Sequence, residues 1–318
     1  MVKEHLKGWY NKDGNFIYAD PKKYNKKLEY LLSNDPEDIM SKPGLIIRKG
    51  INPIFRALLP LTSKNKFHVN KEGILPRKRP IIFASTHGFR DDIALAFKTA
   101  GTHASLLYGS IPDFYYSVDG YALCVPGCVV VDRKDRESRK SSLPKMEYLM
   151  DLGSNMVICP EGVWNKSTNL LILKLYPGIY RLAKKKDALI APIVSIQVDN
   201  DCYAKRMDAI DITKYSEKEG LQVLRDTLAT GKWELMEKYC PITNRKDLNE
   251  DYWQVFMEDL ISTANGLYDY EIENSAEFID KSIISEEEVF APIDNINVNS
   301  KNAYVYSKTA NKCRKIRK

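Results

Sequence analysis

Long apolar runs are missing from this sequence. The longest comparable run, Tyr121 to Val131, has eleven residues and contains Pro126 and Gly127. A helix that spans a bilayer needs roughly 18 or more consecutive apolar residues. The first fifteen residues, MVKEHLKGWYNKDGN, contain no apolar core, which a secretory signal requires. We therefore expect neither a secretory signal nor a membrane span.

Histidine and cysteine are also scarce. The four histidines are scattered along the chain, and the six cysteines include no C-x-x-C pair. The spacing typical of structural zinc ligands is therefore absent, and so is the pattern of a disulfide-rich scaffold. We expect reduced thiols, as in a cytosolic protein, and no metal site.

The charge is nearly balanced, with 48 basic residues against 42 acidic ones and a net charge of +6. A mild basic surplus favours anionic partners, which include phospholipid headgroups, the phosphates of coenzyme A, an acidic carrier protein and nucleic acid. Charge alone does not choose among them. Because no nucleic-acid recognition module is evident beside the basic tail at Lys312–Lys318, we expect no nucleic-acid partner.

A basic amphipathic segment covers residues 44–61, where aliphatic side chains alternate with Arg48, Lys49 and Arg56. Such a segment can lie in a bilayer interface with its apolar side down and its cations toward the headgroups. The alternative is a helix that packs on its own domain. Pro53 and Pro60 are expected to interrupt any long helix here.

Short apolar runs alternate with helix-like segments between residues 80 and 215. Continuous apolar runs of this length indicate strands buried on both faces. Because strands that alternate with helices need crossover connections, we predict an α/β fold with a mostly parallel central sheet flanked by helices. The predicted strands cover residues 80–84, 104–108, 128–131, 156–159 and 189–198.

Three regions follow from this pattern. Residues 1–40 form a polar, irregular lead-in with one short helix, 41–215 form the main domain, and 216–318 form a mainly helical C-terminal extension with a basic tail. Within the main domain, Ser142 is expected to cap a helix that has Pro144 in its first turn.

The most informative residues are His87 and Asp92, which follow the first buried strand. Five residues on a continuous helix turn through about 500°, so the two side chains lie roughly 140° apart and cannot meet on one helix. They can meet if His87 lies on the strand-to-helix turn and Asp92 in the first helical turn, with Gly88 supplying conformational freedom. The carboxylate then orients one imidazole nitrogen, as a general base requires. A satisfied structural histidine is the alternative.

Four segments in order resemble the sequence blocks of the glycerolipid acyltransferase family, over roughly residues 45–215. The first holds His87 and Asp92, and the family's Gly-apolar-Asp-Arg block resembles Gly127 to Arg133. The third, usually Phe-Pro-Glu-Gly-Thr-Arg-Ser, resembles Cys159 to Ser167 in part, and the fourth resembles Ile190 to Val194.

The resemblance implies roles for these residues. His87 takes the proton of the acceptor hydroxyl, and Asp92 orients and stabilises the imidazole. Glu161 and Gly162 shape the acceptor site, and Arg133 binds a phosphate through its guanidinium fork. Backbone amides near Gly88 or Gly162 are the candidate donors to the tetrahedral oxyanion.

The third block departs from the family pattern. Val163, Trp164 and Asn165 stand where Thr-Arg is usual, so a phosphate ligand of the family is missing. Lys166 or Arg90 can substitute, although lysine binds phosphate as a point charge and not as a fork. Trp164 can instead line an apolar or sugar-like acceptor site, or simply pack.

The resemblance therefore implies an acyltransferase that needs no cofactor. It moves a fatty acyl group from acyl-CoA or acyl-carrier protein to a lysophospholipid. The leading acceptor is 1-acylglycerol-3-phosphate. Glycerol-3-phosphate, another lysolipid or an amine are alternative acceptors. A non-catalytic lipid-binding protein on the same scaffold is a further alternative. The expected location is cytoplasmic, peripheral on the inner face of the membrane, with anionic phospholipid as the docking partner.

Overall fold

The structure is a computed structural model. It describes residues 3–76, 78–167, 170–240, 251–263 and 266–273.

A seven-stranded mixed sheet forms the centre of the fold, and a separate two-stranded hairpin lies near the N-terminus. The strands in the described residues are β1 (Gly8–Tyr10), β2 (Phe16–Tyr18), β3 (Lys66–Asn70), β4 (Ile81–Ser85), β5 (Ala104–Tyr108), β6 (Cys128–Val130), β7 (Asn155–Ile158), β8 (Leu189–Val198) and β9 (Asp201–Arg206).

The spatial order of the large sheet is β3-β9-β8-β4-β7-β5-β6. The strands β8, β4, β7, β5 and β6 pair in parallel, whereas β9 pairs antiparallel with β8 and carries β3 alongside it. All five side chains of β4 are buried, as expected of a strand covered on both faces. The predicted α/β class with a mostly parallel sheet is confirmed.

Helices flank this sheet. α3 packs on β8, β9 and β4, α8 packs on β8, and α6 packs on β6 and β7. The helices in the described residues are α1 (Pro36–Ile39), α2 (Lys42–Leu58), α3 (Asp92–Ala100), α4 (Ile111–Tyr116), α5 (Val118–Cys124), α6 (Arg136–Asp151), α7 (Gly178–Lys186), α8 (Glu217–Tyr239), α9 (Tyr252–Ser262) and α10 (Tyr270–Glu273). None of the helices in these ranges is both long and apolar enough to cross a bilayer.

Two helix boundaries differ from the sequence-based expectation. α6 begins two turns before Ser142, because the Asp135 side chain caps it by accepting the N–H of Glu137, and Pro144 lies inside the helix. α2 continues through Pro53, which lies on the exposed side of the helix. On that side, water can donate a hydrogen bond to the carbonyl that loses its backbone donor because of the proline. The interruption that we expected at Pro53 therefore does not occur.

The N-terminal segment is more ordered than the irregular lead-in that the sequence suggested. Besides the β1–β2 hairpin it contains short 3-10 helices, and Leu6, Leu28 and Leu31 are buried in the main core. The hydroxyl of Tyr115 donates to the carbonyl of Leu28 at 2.9 Å. The basic tail, Lys312–Lys318, lies outside the described residues.

Core packing gives a stability prediction. Leu149 on α6 is fully buried, whereas Leu61 is 79% exposed. We expect Leu149→Ala to lower the free energy of unfolding by about 2–5 kcal/mol, because it removes buried methyl groups and leaves a cavity. The matched control Leu61→Ala should change it by less than about 0.5 kcal/mol. Urea unfolding followed by circular dichroism measures both, and equal effects would contradict the packing described here.

Candidate active site

The catalytic candidates His87 and Asp92 meet at the carboxyl end of β4. His87 follows β4 by two residues and Asp92 is the first residue of α3. The Nδ1 atom of His87 lies 2.9 Å from Oδ2 of Asp92 and 3.1 Å from its Oδ1. Because a carboxylate only accepts hydrogen bonds, Nδ1 carries the proton and Nε2 is left as the basic nitrogen. The turn geometry predicted from the sequence is therefore present.

Asp92 is fixed before any substrate arrives. Its side chain is 1% exposed, and its Oδ2 also accepts the backbone N–H of Gly88 at 2.7 Å and of Phe89 at 3.1 Å. These donors hold the carboxylate in place, and the carboxylate in turn holds the imidazole. The same contacts engage the amide of Gly88, and the amide of Gly162 donates to the carbonyl of Cys159 at 3.0 Å. Both expected oxyanion donors are thus already hydrogen-bonded within the protein.

The electrostatic environment adjusts the basicity of His87. Burial by itself lowers the pKa of the imidazole, but the charge and hydrogen bond of Asp92, with smaller contributions from Glu273 and Glu161, outweigh burial. The net result is a pKa above the ordinary value of 6.5. His87 is therefore a stronger base than a solvent-exposed histidine, and it becomes neutral only at higher pH.

The third sequence block holds the backbone of His87 from two sides. Glu161 is buried, and its Oε1 accepts the N–H of His87 at 3.2 Å while its Oε2 accepts the N–H of Leu173 at 2.8 Å. The N–H of Asn165 donates to the carbonyl of His87 at 2.8 Å. Burial raises the pKa of Glu161. Glu161 is not among the described residues that line the cavity, so the structure places it as a positioning residue behind His87.

Gly162 lies at the cavity wall with a φ of +75°. A Cβ atom at this position would come within 2.6 Å of the Tyr176 ring. Both the backbone conformation and the close approach of the ring therefore require glycine here.

A cavity of about 1000 Å³ opens beside His87. Arg90, Arg133 and Gly162 belong to its wall together with His87. Much of the remaining wall is apolar and comes from several elements, including Leu59, Phe97, Leu107, Leu143, Met146 and Ile179. Arg139 also lines the cavity, which therefore offers a base, three guanidinium groups and a long apolar surface. Together these suit a molecule with a polar head and an alkyl chain.

Lys166 differs in its position from Arg90 and Arg133, which line the cavity. Its side chain is fully buried, and its ammonium donates to the hydroxyl of Tyr268 and, at 2.9 Å, to the carbonyl of Glu273. Burial lowers the pKa of Lys166 to about 8, although the nearby Glu273 carboxylate opposes the shift. Lys166 is not among the described residues on the cavity wall.

Sequence reasoning missed the C-terminal residues at this site. The Glu273 carboxylate accepts the backbone N–H of Trp164 at 3.3 Å, and the Trp164 ring lies edge-on to His87 with the centroids 6.1 Å apart. Lys134 pairs with Glu271 at 2.7 Å and with Asp269 at 3.3 Å. No local pattern signals these contacts, because the partners lie more than 100 positions apart in the chain.

In the part of the chain that the structure describes, no arrangement of side chains supports a metal site. There, no group of three or more histidine, cysteine, aspartate or glutamate side chains is placed to hold a metal ion.

Comparison with known proteins gives a family match and a similar solved structure. Residues 66–196, which include His87, Asp92 and most of the cavity's basic residues, match a family model described as Acyltransferase. No curated protein is significantly similar in sequence. Among solved structures, the 1-acyl-sn-glycerophosphate (LPA) acyltransferase PlsC from Thermotoga maritima is similar, with a TM-score of 0.50 and 15% identity, over 61% of this chain and 83% of that chain. At that identity the likeness concerns the fold alone. Residues 66–196 therefore match an acyltransferase family model, which supports the resemblance to the glycerolipid acyltransferases that the sequence predicted.

Proposed function

We propose that this protein transfers a fatty acyl group from a thioester donor, acyl-CoA or acyl-carrier protein, to the hydroxyl of a lysophospholipid, with 1-acylglycerol-3-phosphate as the leading acceptor. The observation that carries the proposal is that His87, paired with the buried Asp92, lines a large cavity that is apolar over much of its surface. Arg90 and Arg133 on the same wall supply the charge that an acceptor phosphate needs.

The chemistry follows from the free nitrogen of His87. Nε2 accepts the proton of the acceptor hydroxyl while its oxygen attacks the thioester carbonyl, which forms a tetrahedral oxyanion. Collapse of this intermediate breaks the carbon–sulfur bond and forms the ester. The departing thiolate then takes the proton from the imidazolium, so that His87 returns to its neutral form. Asp92 stabilises the imidazolium throughout without itself accepting the proton.

The donor and acceptor chains need an apolar environment, and the cavity provides it. Its apolar wall includes Phe55 and Leu59, which lie on and directly after α2, and Leu143 and Met146 of α6. Burying each methylene group of an alkyl chain contributes about 0.8 kcal/mol. An acyl chain in this cavity is thereby held with its carbonyl near His87, which restricts its orientation for attack.

A lipid acceptor also requires access to the membrane, and α2 is suited to it. Ile47 and Ile54 are each 64% exposed on this helix, although aliphatic side chains are normally buried. Lys49 and Arg56 on the same segment supply cations. We therefore propose that α2 docks on an anionic bilayer, on the inner face of the cytoplasmic membrane. Because Phe55 of α2 lines the cavity, docking brings the cavity close to the lipid.

The first prediction concerns the catalytic pair. His87→Ala and Asp92→Asn should each lower kcat/KM by about 10²- to 10⁴-fold, because general-base catalysis is lost or misoriented. The measurement is transfer of a radiolabelled acyl group to a panel of lysophosphatidate, glycerol-3-phosphate, neutral and zwitterionic lysolipids, and an amine. His68→Ala, at an exposed histidine paired with Asp201, is the matched control. Unchanged transfer in the folded His87→Ala protein would remove His87 from the mechanism.

The second prediction concerns pH. Because the pKa of His87 is raised, the protonated and inactive form persists to higher pH than for an ordinary histidine. The kcat/KM for acyl transfer should therefore fall as the pH decreases through a value above 6.5. The pH profile of kcat/KM measures this decrease on its acidic side. A decrease centred at or below 6.5 would show that Asp92 does not dominate the environment of His87.

The third prediction concerns membrane docking. Replacing Ile47 and Ile54 together with aspartate should weaken binding to anionic vesicles by at least about tenfold, since two partly inserted apolar side chains are replaced by charges. Sedimentation with vesicles of phosphatidylglycerol and phosphatidylcholine measures binding. Ile74→Asp, at another exposed isoleucine outside α2, is the control. If both proteins bind equally, α2 is not the docking surface.

A further inference from the structure

The segment of residues 266–273, here called the C-terminal strap, forms part of the cavity wall beside the catalytic pair. It lies outside residues 66–196, which match the family model. Leu267, Tyr268, Asp269, Glu271 and Glu273 of the strap all line the cavity that His87 also lines. The strap is therefore in a position to affect which molecules reach His87.

The strap is acidic, and its acidic groups lie on Lys134, which directly follows the second sequence block, and on Lys166 of the third block. Lys134 Nζ is 2.7 Å from Oε2 of Glu271 and 3.3 Å from Oδ2 of Asp269. Lys166 Nζ donates to the Glu273 carbonyl at 2.9 Å and lies 3.8 Å from its Oε2. Both lysines are close to the residues that an acceptor phosphate is expected to meet.

A carboxylate oxygen of the strap also holds a backbone donor next to the catalytic base. Oε2 of Glu273 accepts the N–H of Trp164 at 3.3 Å, and the Trp164 ring contacts His87. This places the Glu273 carboxylate beside the Lys166 ammonium and an amide N–H, while Glu271 lies on the Lys134 ammonium. These are the same kinds of donors that bind a phosphate oxygen in proteins.

Two anionic groups cannot share these donors. A phosphomonoester carries up to two negative charges, and in a partly buried site the strap carboxylates would repel it strongly. The strap is also held by the N-terminal hairpin, because α10 packs against β1. Tyr10 of β1 in turn places its ring 4.6 Å from the Lys134 ammonium. An anionic acceptor must therefore compete with contacts that the protein already makes.

We propose that the C-terminal strap occupies the phosphate subsite of the acceptor, so that an anionic acceptor binds by displacing Glu271 and Glu273 from Lys134, Lys166 and the Trp164 amide. This inference rests on the proposed function, because it assigns the site to the acceptor headgroup. Lys134 and Lys166 then supply the charge that the third block lost with its usual arginine. A neutral acceptor, which has no phosphate to place there, gains nothing from this displacement.

The direct test measures anion binding and not activity. Isothermal titration calorimetry with glycerol 3-phosphate as the probe compares the full chain with its Glu271→Gln/Glu273→Gln variant. We expect the Kd to fall about tenfold in the variant, because two competing charges are removed. Adding Lys134→Gln to that variant should reverse the gain. Glu72→Gln/Glu234→Gln, which removes two exposed carboxylates outside the strap, is the matched control and should leave the Kd unchanged.

A milder variant guards against loss of folding. Tyr268→Phe removes only the hydroxyl that accepts a hydrogen bond from Lys166, and it should lower the Kd for the same probe about threefold by loosening the strap. Circular dichroism reports whether each variant is folded. An unchanged or raised Kd in the folded variants would overturn the proposal, since the strap would then form part of the binding wall and not compete for it.

An activity measurement separates this inference from the proposed function. The ratio of the KM for a monoacylglycerol to the KM for lysophosphatidate of the same chain length should rise about tenfold in Glu271→Gln/Glu273→Gln. An unchanged ratio would contradict displacement by phosphate. If the unmodified protein transfers acyl groups to neither acceptor, the proposed function fails, whereas the probe titration still decides whether the strap competes with an anion.

Discussion

The hydrogen bonds of one carboxylate organise the active site. Asp92 is almost fully buried, and its Oδ2 accepts two backbone N–H groups and the imidazole N–H of His87. A buried charge is costly unless such donors satisfy it, so the turn after β4 and the start of α3 depend on this carboxylate. Glu161 extends the arrangement by holding the backbone of His87. The basic nitrogen that faces the cavity is thus positioned by contacts that exist before substrate binds.

The sheet topology explains why these contacts can form. β4 lies between β8 and β7, and the parallel strands bring the residues after β4 and β7 to the same edge. The third block, which follows β7, therefore meets the turn that follows β4. Ligands of α/β sheets commonly bind at the carboxyl ends of the strands. The cavity adds an apolar wall from α2 and α6 to this edge, so His87 adjoins the helix that we propose as the docking surface.

Segments outside the family match shape the surroundings of this site. The N-terminal hairpin packs on α10, and the His5 imidazole lies 2.6 Å from the carboxylate of Asp132 in the second block. The C-terminal strap meets the second and third blocks from the other end of the chain. Both terminal segments therefore converge on the loop after β6. The matched domain holds His87 and Asp92, while the strap adds carboxylates to the cavity wall.

The sequence by itself determined the features that depend on near neighbours. Continuous apolar runs predicted β4 and β8, because a strand buried on both faces needs apolar side chains throughout. His87 and Asp92 were predicted to meet across a strand-to-helix turn, because they are only five positions apart in the chain. The start of α6 was wrong because a capping aspartate outweighed the expected serine cap. Only the tertiary structure decided that β9 runs antiparallel to β8 and that Glu273 meets Trp164. Such contacts join residues that are distant in the chain, and they form through packing of the whole fold and not through any local preference.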